Sequence, residues 1–260
     1  MKQYDSHIHI GDYASNKYLV NNSKYREKYK LYSAINPEMI LNQIEYTKEL
    51  DDFFAIPLFF KETDIQKCNQ YVIDYCNKYQ KGIPTLLIDN NKYFNSNYNI
   101  AIFKEHFLLN DFLDWKDRTN YYDFLNSNDG YLLIHCKDKI RVEYIQKLIS
   151  NFPNMNIIIA HLGRDTYEKP EFIMQVINNF KDNEKVMFDL STIHNIDNLL
   201  YSIDKVGTCR ILYGSDFPFE FKNLYEIKEF KQKILNTISY EENIFEKNFE
   251  NIKKKIYVKK

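Results

Sequence analysis

The sequence predicts an α/β fold, a distorted (β/α)8 TIM barrel, and three observations carry that expectation. Short apolar runs alternate with longer amphipathic stretches, the rhythm of βαβ units around a parallel sheet, and eight such runs are present. Several of the runs close on a histidine or an aspartate. In a parallel barrel every strand's C-terminal end lies on one rim, where sites of this architecture are built. At 260 residues the chain has room for one barrel or two small domains, and with no Pro/Gly-rich linker to divide it a single domain over residues 1–260 is expected.

The expected strands, in order, are residues 3–9, 53–60, 82–89, 100–107, 131–136, 157–161, 185–191 and 210–215. The first is followed by a long Tyr/Asn/Lys-rich segment, 10–36, before a helix over 37–50 that Asn36 and Pro37 are suited to open. A second helix over 64–79 leads to the third strand. The connection that follows, 90–99 (NNKYFNSNYN), is too short and too Asn-rich for a full helix, so the third β-to-α connection should be reduced. No helical pattern stands out between the fourth and fifth strands. Helices are expected over 139–151, 167–180, 196–206 and 224–236, and a closing helix over 240–252 runs into Lys253, Lys254 and Lys255 at its dipole-favoured end. Right-handed crossovers allow these strands to close into a barrel, while the pattern alone leaves an open sheet as the alternative.

Composition narrows the function. With 35 basic and 36 acidic residues the net charge is −1, which supplies no bulk attraction to nucleic acid or anionic membrane. The four cysteines form no CxxC pair and no disulfide-like framework, which fits a reducing compartment. No apolar run approaches the roughly 18 residues of a membrane span, and MKQYDSHIHI is charged too early for a secretory signal. A cytoplasmic protein acting on a small molecule is expected, with neither nucleic acid nor membrane as a partner and a homodimer left open. The 22 tyrosines read as large core and rim residues, not as a stacking surface.

The polar residues at the strand ends carry the chemistry. Tyr131-Leu-Leu-Ile-His135 and Ile157-Ile-Ile-Ala-His161 end in histidine, and Arg210-Ile-Leu-Tyr-Gly-Ser-Asp216 ends in aspartate. In the first strand His7 and His9 point to one face and Ile8 to the other, because strand side chains alternate. Four of the six histidines occupy such ends. Four strands therefore aim four imidazoles and a carboxylate at one small volume, a donor set that suits zinc and also accepts manganese, iron or cobalt. Gly11, Gly163 and Gly214 lie two residues from these positions, where tight turns are needed.

At these residues the sequence resembles the amidohydrolase superfamily, within it the amidohydrolase-related branch of lactonases and decarboxylases similar to aminocarboxymuconate-semialdehyde decarboxylase. The matching pieces are Asp5-Ser-His7-Ile-His9, His135, Ala160-His161-Leu-Gly163 and Tyr213-Gly-Ser-Asp216-Phe-Pro218, in the family's order, and Ile244 to Ile252 resembles its closing helix. The resemblance implies one divalent ion, zinc in the first place and manganese as the alternative, held by His7, His9, His135 and Asp216. It implies that His161 contacts the substrate or the attacking water and that Asp216 shuttles a proton. Lys104 and His106 share one strand face and are expected to meet the substrate, with Arg164 and Lys137 as candidate anchors for an anionic group. A second ion, bridged by Lys104 or Glu105, stays open. The implied activity is hydrolysis of an ester, lactone or amide through a metal-activated water. Non-oxidative decarboxylation is the first alternative and a non-catalytic binding barrel another. A TatD-like metal-dependent phosphoesterase or nuclease is suggested by His135-Cys-Lys-Asp138, although Gly214-Ser-Asp216-Phe-Pro218 departs from that family's eighth strand.

Overall fold

The computed structural model describes residues 2–11, 37–59, 63–95, 101–107, 109, 115–135, 140–164, 168–221, 223–238 and 241–257. Its strands are β1 (Tyr4–Ile10), β2 (Asp52–Pro57), β3 (Ile83–Pro84), β4 (Leu86–Leu87), β5 (Ile102–His106), β6 (Tyr131–His135), β7 (Asn156–Ile159), β8 (Val186–Asp189) and β9 (Ile211–Leu212). They pair in sequence order, β1-β2-β3 and β4 through β9, and every pairing is parallel. β3 and β4 are two halves of one expected strand, parted at Thr85: the first half pairs with β2 and the second with β5.

The ring closes through the backbone just after β9. Ser6 donates its N–H to the Tyr213 carbonyl (2.9 Å), Asp216 to that of His7 (2.8 Å) and His9 to that of Phe217 (2.8 Å). The segment that pairs with β8 on one side thus pairs with β1 on the other, and the open-sheet alternative falls away.

Period-two alternation then sorts each strand. Ile102, Tyr131, Leu133, Ile158 and Leu212 belong to one buried cluster with Phe54, Ile56 and Tyr4, the lower filling of the barrel. Phe249, Ile252 and Ile256 join that cluster from the closing helix, and Phe249 stacks on Tyr4 and on Phe54 at 4.6 Å each. The same alternation carries Lys104, His106 and His135 to the upper interior. Phe103, Leu132, Ile134, Ile157 and Ile159 face outward into a larger cluster with the helices.

The helices are α1 (Pro37–Glu49), α2 (Ile65–Tyr79), α3 (Thr119–Ser127), α4 (Ile140–Asn151), α5 (Pro170–Phe180), α6 (Ile196–Val206), α7 (Leu224–Ile238) and α8 (Asn248–Tyr257). Local chemistry explains several starts: Asp64 caps α2 by accepting from Lys67 N–H, Asn195 caps α6 by accepting from Asp197 N–H, and Pro170 opens α5. Among the described residues the third β-to-α connection is reduced as expected, to one 3-10 turn, Asn91–Tyr93. The fourth is not: α3 fills the stretch where no helix was expected. Its sequence, TNYYDFLNS, is poor in strong helix formers, and it is held by burial of Tyr121, Tyr122 and Leu125 against the strands. The expected closing helix begins as a π-type turn, Asn243–Lys247, and continues as α8. Beyond Gly11, the long 10–36 segment lies outside the described residues. Among the described residues no helix is long and apolar enough to cross a membrane.

Candidate metal centre

His7 and His9 rise from β1 into the upper interior, 0% and 3% exposed. Their outward ring nitrogens are both committed. His9 Nδ1 lies 3.0 Å from the Pro57 carbonyl, which can only accept, so that nitrogen carries the proton. His7 Nδ1 lies 2.8 Å from Asp189 Oδ2. Burial works against the ionisation of Asp189, but His7 beside it outweighs that and holds the carboxyl below its usual range, so His7 Nδ1 donates. In both rings the lone pair is therefore on Nε2. Both Nε2 atoms face one oxygen: Asp216 Oδ1 is 3.1 Å from His9 Nε2 and 3.4 Å from His7 Nε2.

Asp216 sits just beyond β9 in a left-handed backbone conformation (φ 60°), and His161 (φ 54°) and Leu162 (φ 51°) adopt the same region beyond β7. Such angles cost free energy in non-glycine residues and concentrate at functional sites. The following Gly163, at φ 77°, has no room for a side chain: a Cβ there would fall 2.6 Å from Val176 Cγ1. His161 donates from Nδ1 to the Ser191 carbonyl (3.1 Å), and its own N–H donates to Asp189 Oδ1 (3.0 Å). Burial pushes its imidazole down to about 3, only partly offset by Asp216 and Asp189. One ligand atom from each of His7, His161 and Asp216 lies within 4.8 Å of the others.

The remaining expected residues surround this group. The His135 ring stands 4.6 Å from that of His161 and 4.5 Å from that of His106, and its buried Nε2 has no hydrogen-bond partner among the described residues. Lys104, 1% exposed, brings Nζ to 3.1 Å from His7 Nε2. Burial lowers its ammonium to about 8, against the pull of Asp189 and Asp216. Arg164 lies at the rim with a guanidinium nitrogen 4.0 Å from Glu220 Oε2, and its Nε is buried without a partner among the described residues. Glu105, by contrast, turns away from the centre. It accepts from the hydroxyls of Tyr122 and Tyr144 (2.9 Å each) and pairs with Arg118 at 3.1 Å on the helix side of β5, so it cannot bridge ions inside the barrel. Lys137 lies outside the described residues.

These donors suit a divalent cation. The His7 and His9 Nε2 lone pairs crowd one carboxylate oxygen, with the Lys104 ammonium, 3.1 Å from His7 Nε2, as the cation the chain itself puts beside them; a divalent ion would relieve that crowding more fully. The imidazole protons are held on the far nitrogens by acceptors, the usual way a protein prepares imidazoles for metal. Burial opposes ionisation of Asp216 too, but a proton shared with His7, His9 or His161 outweighs it and holds the carboxyl well below the usual range, so Asp216 presents a negative oxygen to positive charge. Nitrogen and carboxylate oxygen in this mixture are zinc or manganese donors.

Two residues that matter here escaped the sequence reading. Asp189 supports His7 and the His161 turn together, and Ser191 shares in it: its hydroxyl donates to Asp189 Oδ1 and lies 2.7 Å from His161 Nδ1. The available signal was a carboxylate inside the apolar seventh strand, Val186-Met-Phe-Asp189.

No protein-family model and no curated protein sequence matches the chain. Solved structures do match it along nearly its whole length. A probable 2-pyrone-4,6-dicarboxylic acid hydrolase from Acinetobacter baumannii, with citric acid bound, is 14% identical over 97% of this chain and 99% of its own, with a TM-score of 0.73. An amidohydrolase from Burkholderia multivorans with bound zinc is 11% identical over 97% and 99%, with a TM-score of 0.67. A dihydroxybenzoic acid decarboxylase from Polaromonas sp. JS666, with bound manganese and the inhibitor 2-nitroresorcinol, is 12% identical over 100% and 98%, with a TM-score of 0.65. The chain therefore has the TIM-barrel fold of the amidohydrolases, the superfamily that its strand-end motifs resemble.

Proposed function

We propose that this protein is a metal-dependent hydrolase of the amidohydrolase type, acting on an ester, lactone or amide bond of a small molecule. The carrying observation is the convergence of the His7 and His9 Nε2 lone pairs on Asp216 Oδ1, with both Nδ1 protons held by acceptors behind them. His7, His9 and Asp216 would hold one divalent ion, with His135 as the fourth donor. Its buried nitrogen, without a partner among the described residues, otherwise costs about 1–3 kcal/mol. Zinc suits this donor set best, and manganese is the next candidate. A divalent ion bound there acidifies a water and polarises a carbonyl.

The chain's own groups supply the rest. Asp216, kept ionised, accepts a proton from the attacking water and returns it to the leaving group. His161, neutral and pinned at Nδ1, leaves its other nitrogen to meet the substrate or that water. Phe219 and Phe59 flank His9 at 4.7 and 5.6 Å and limit bulk water on that side. Lys104, His106 and Arg164 are the groups we assign to orienting the substrate, the two cations towards its anionic part.

The experiment has two stages. Metal analysis of purified protein should give about one divalent ion per chain, and a screen of lactones, amides, phosphodiesters and aromatic acids should find a hydrolysis abolished by chelation and restored by metal. Carbon dioxide released from an aromatic acid would transfer the protein to the decarboxylase reading, which the fold shared with the manganese-bound decarboxylase supports. Phosphodiester cleavage would transfer it to the phosphoesterases. A chain that takes up no divalent ion would sink all three.

A further inference from the structure

We propose that Asp5 is a positioning residue for the metal centre, a role that rests on the reading above. Its carboxylate holds the irregularity in β1 that turns His7 and His9 inward, and ties His7 to the segment carrying Asp216. Along the β1–β2 ladder Asp5 pairs with Phe53 and Ile8 with Ala55, one residue more on β1 than on β2. That extra residue matters because strand side chains alternate. Tyr4 packs into the lower interior with Phe54 and Phe249. Without the bulge, strict alternation from Tyr4 would send His7 and His9 to the helix side and Ile8 into the barrel. With it, Ile8 joins the outer core and both imidazoles face inward.

A bulged residue loses its place in the ladder, and its N–H needs another acceptor. The His7 N–H finds Asp5 Oδ1 at 2.9 Å, and the same oxygen accepts from the Ser215 N–H at 3.1 Å. The other oxygen accepts from the Tyr46 hydroxyl of α1 at 2.7 Å, and Asp5 is fully buried. One carboxylate thus joins the backbone at His7 to the backbone one residue before Asp216, whose own N–H donates to the His7 carbonyl. The two segments are packed to their limit, since a Cβ on Gly214 would fall 2.9 Å from His7 Cβ. Asp5 contacts none of the donor atoms; it acts through the backbone that presents them.

The test compares Asp5→Ala, Asp5→Asn and, at the opposite end of the barrel, Asp52→Asn, whose carboxylate accepts from the N–H groups of Phe53 and Gly82. Zinc affinity is read by chelator competition, the visible spectrum from the cobalt-substituted protein, and Tm from the metal-free protein. Alanine at position 5 should weaken zinc binding about tenfold or more, the size seen when groups behind a ligand are lost, and should alter the cobalt spectrum. Asparagine keeps an oxygen acceptor, so it should lose affinity only a few-fold. Asp52→Asn should lower Tm and leave affinity and spectrum unchanged. An Asp5→Ala protein with wild-type affinity and spectrum overturns the role, as does a loss no larger than that of Asp52→Asn. If the alanine variant does not fold, unchanged affinity and spectrum in Asp5→Asn overturn it. A wild-type chain that binds neither zinc nor cobalt overturns the centre itself, and this role with it.

Discussion

At the N-terminal end of the barrel charged groups meet opposite charges or backbone partners, whereas at the C-terminal end two imidazole nitrogens crowd a single carboxylate oxygen beside one buried ammonium. Asp129 accepts from Lys255 (2.8 Å), Lys185 (3.0 Å) and the Asn156 amide (3.1 Å), tying together the ends of β6, β7, β8 and α8. Arg210 donates to the carbonyls of Asn183 and Phe180, and Lys81 to that of Leu50. At the other end, His7 and His9 crowd Asp216, the His135 Nε2 has no partner among the described residues, and Lys104 is buried beside them. Left-handed backbone in non-glycine residues follows the same division. His161, Leu162, Thr192 and Asp216 adopt it at the upper rim, and only Gln80 and Asp129 elsewhere among the described residues. The lower rim is arranged for folding. The upper rim holds an arrangement that folding alone would not select, supported by the packed barrel beneath it.

Substitutions at the upper rim should therefore damage chemistry more than stability, and the sharpest case is Asp216→Asn. Asparagine keeps the size and one oxygen but cannot accept a proton. Turnover on an identified substrate should fall about 10²–10⁴-fold, with metal retained and the fold intact. Near-normal turnover in a metal-loaded variant would assign Asp216 to ligation alone and make His161 the base. Next in size is Asp189→Asn, which removes the charged acceptor behind His7 Nδ1 and should weaken metal binding about 10–100-fold. Unchanged affinity would mean that His7 keeps its tautomer without help.

Gly163→Ala tests whether strain at the upper rim is held by packing. The added Cβ meets the Val176 side chain of α5 at a position already at φ 77°, so a loss of about 1–3 kcal/mol and a lower Tm are expected. An unchanged Tm would show that α5 yields freely and that the turn is not over-determined. The smallest effect belongs to the lower rim. Burial opposes ionisation of Asp129, but Lys255, Lys185 and Asn156 outweigh it and hold the carboxyl at about 2, below the roughly 3.9 of an unfolded chain. Its stabilisation is thus complete above about pH 4 and lost as pH falls from there through about 2. Asp129→Asn should cost below about 1 kcal/mol near neutral pH, because the group is partly exposed. The difference in Tm from wild type should shrink as acid is added, and a difference that grows would reverse the sign of this linkage.

Much of the site was legible because its signals are local. An apolar run ending in His135, His161 or Asp216 states both that the run is a strand and where its last side chain lies. The Asn-rich 90–99 stretch announced in the same way the reduction seen in its described part, one 3-10 turn at Asn91–Tyr93. α3 was not legible, because Tyr121 and Tyr122 supply helix stability by burial against distant strands and not by intrinsic propensity. The supports of the donors were hidden for a related reason: Asp189 meets His7 across 182 positions of sequence.

The sequence by itself determined the order of the strands and of every helix but α3, the gathering of the imidazoles and Asp216 on one rim, and the metal-suited character of that set. These follow from the two-residue period of strands and the single direction of a parallel barrel, both properties of short segments. Only the tertiary structure decided that the ring closes between β1 and residues 213–217, that Glu105 turns outward, and that His7 and His9 face inward at all. HxH guarantees that two side chains share a face, but which face depends on the register against β2 and on the acceptor found for the displaced His7 N–H. Register is a relation between strands brought together by folding, and no residue carries it alone.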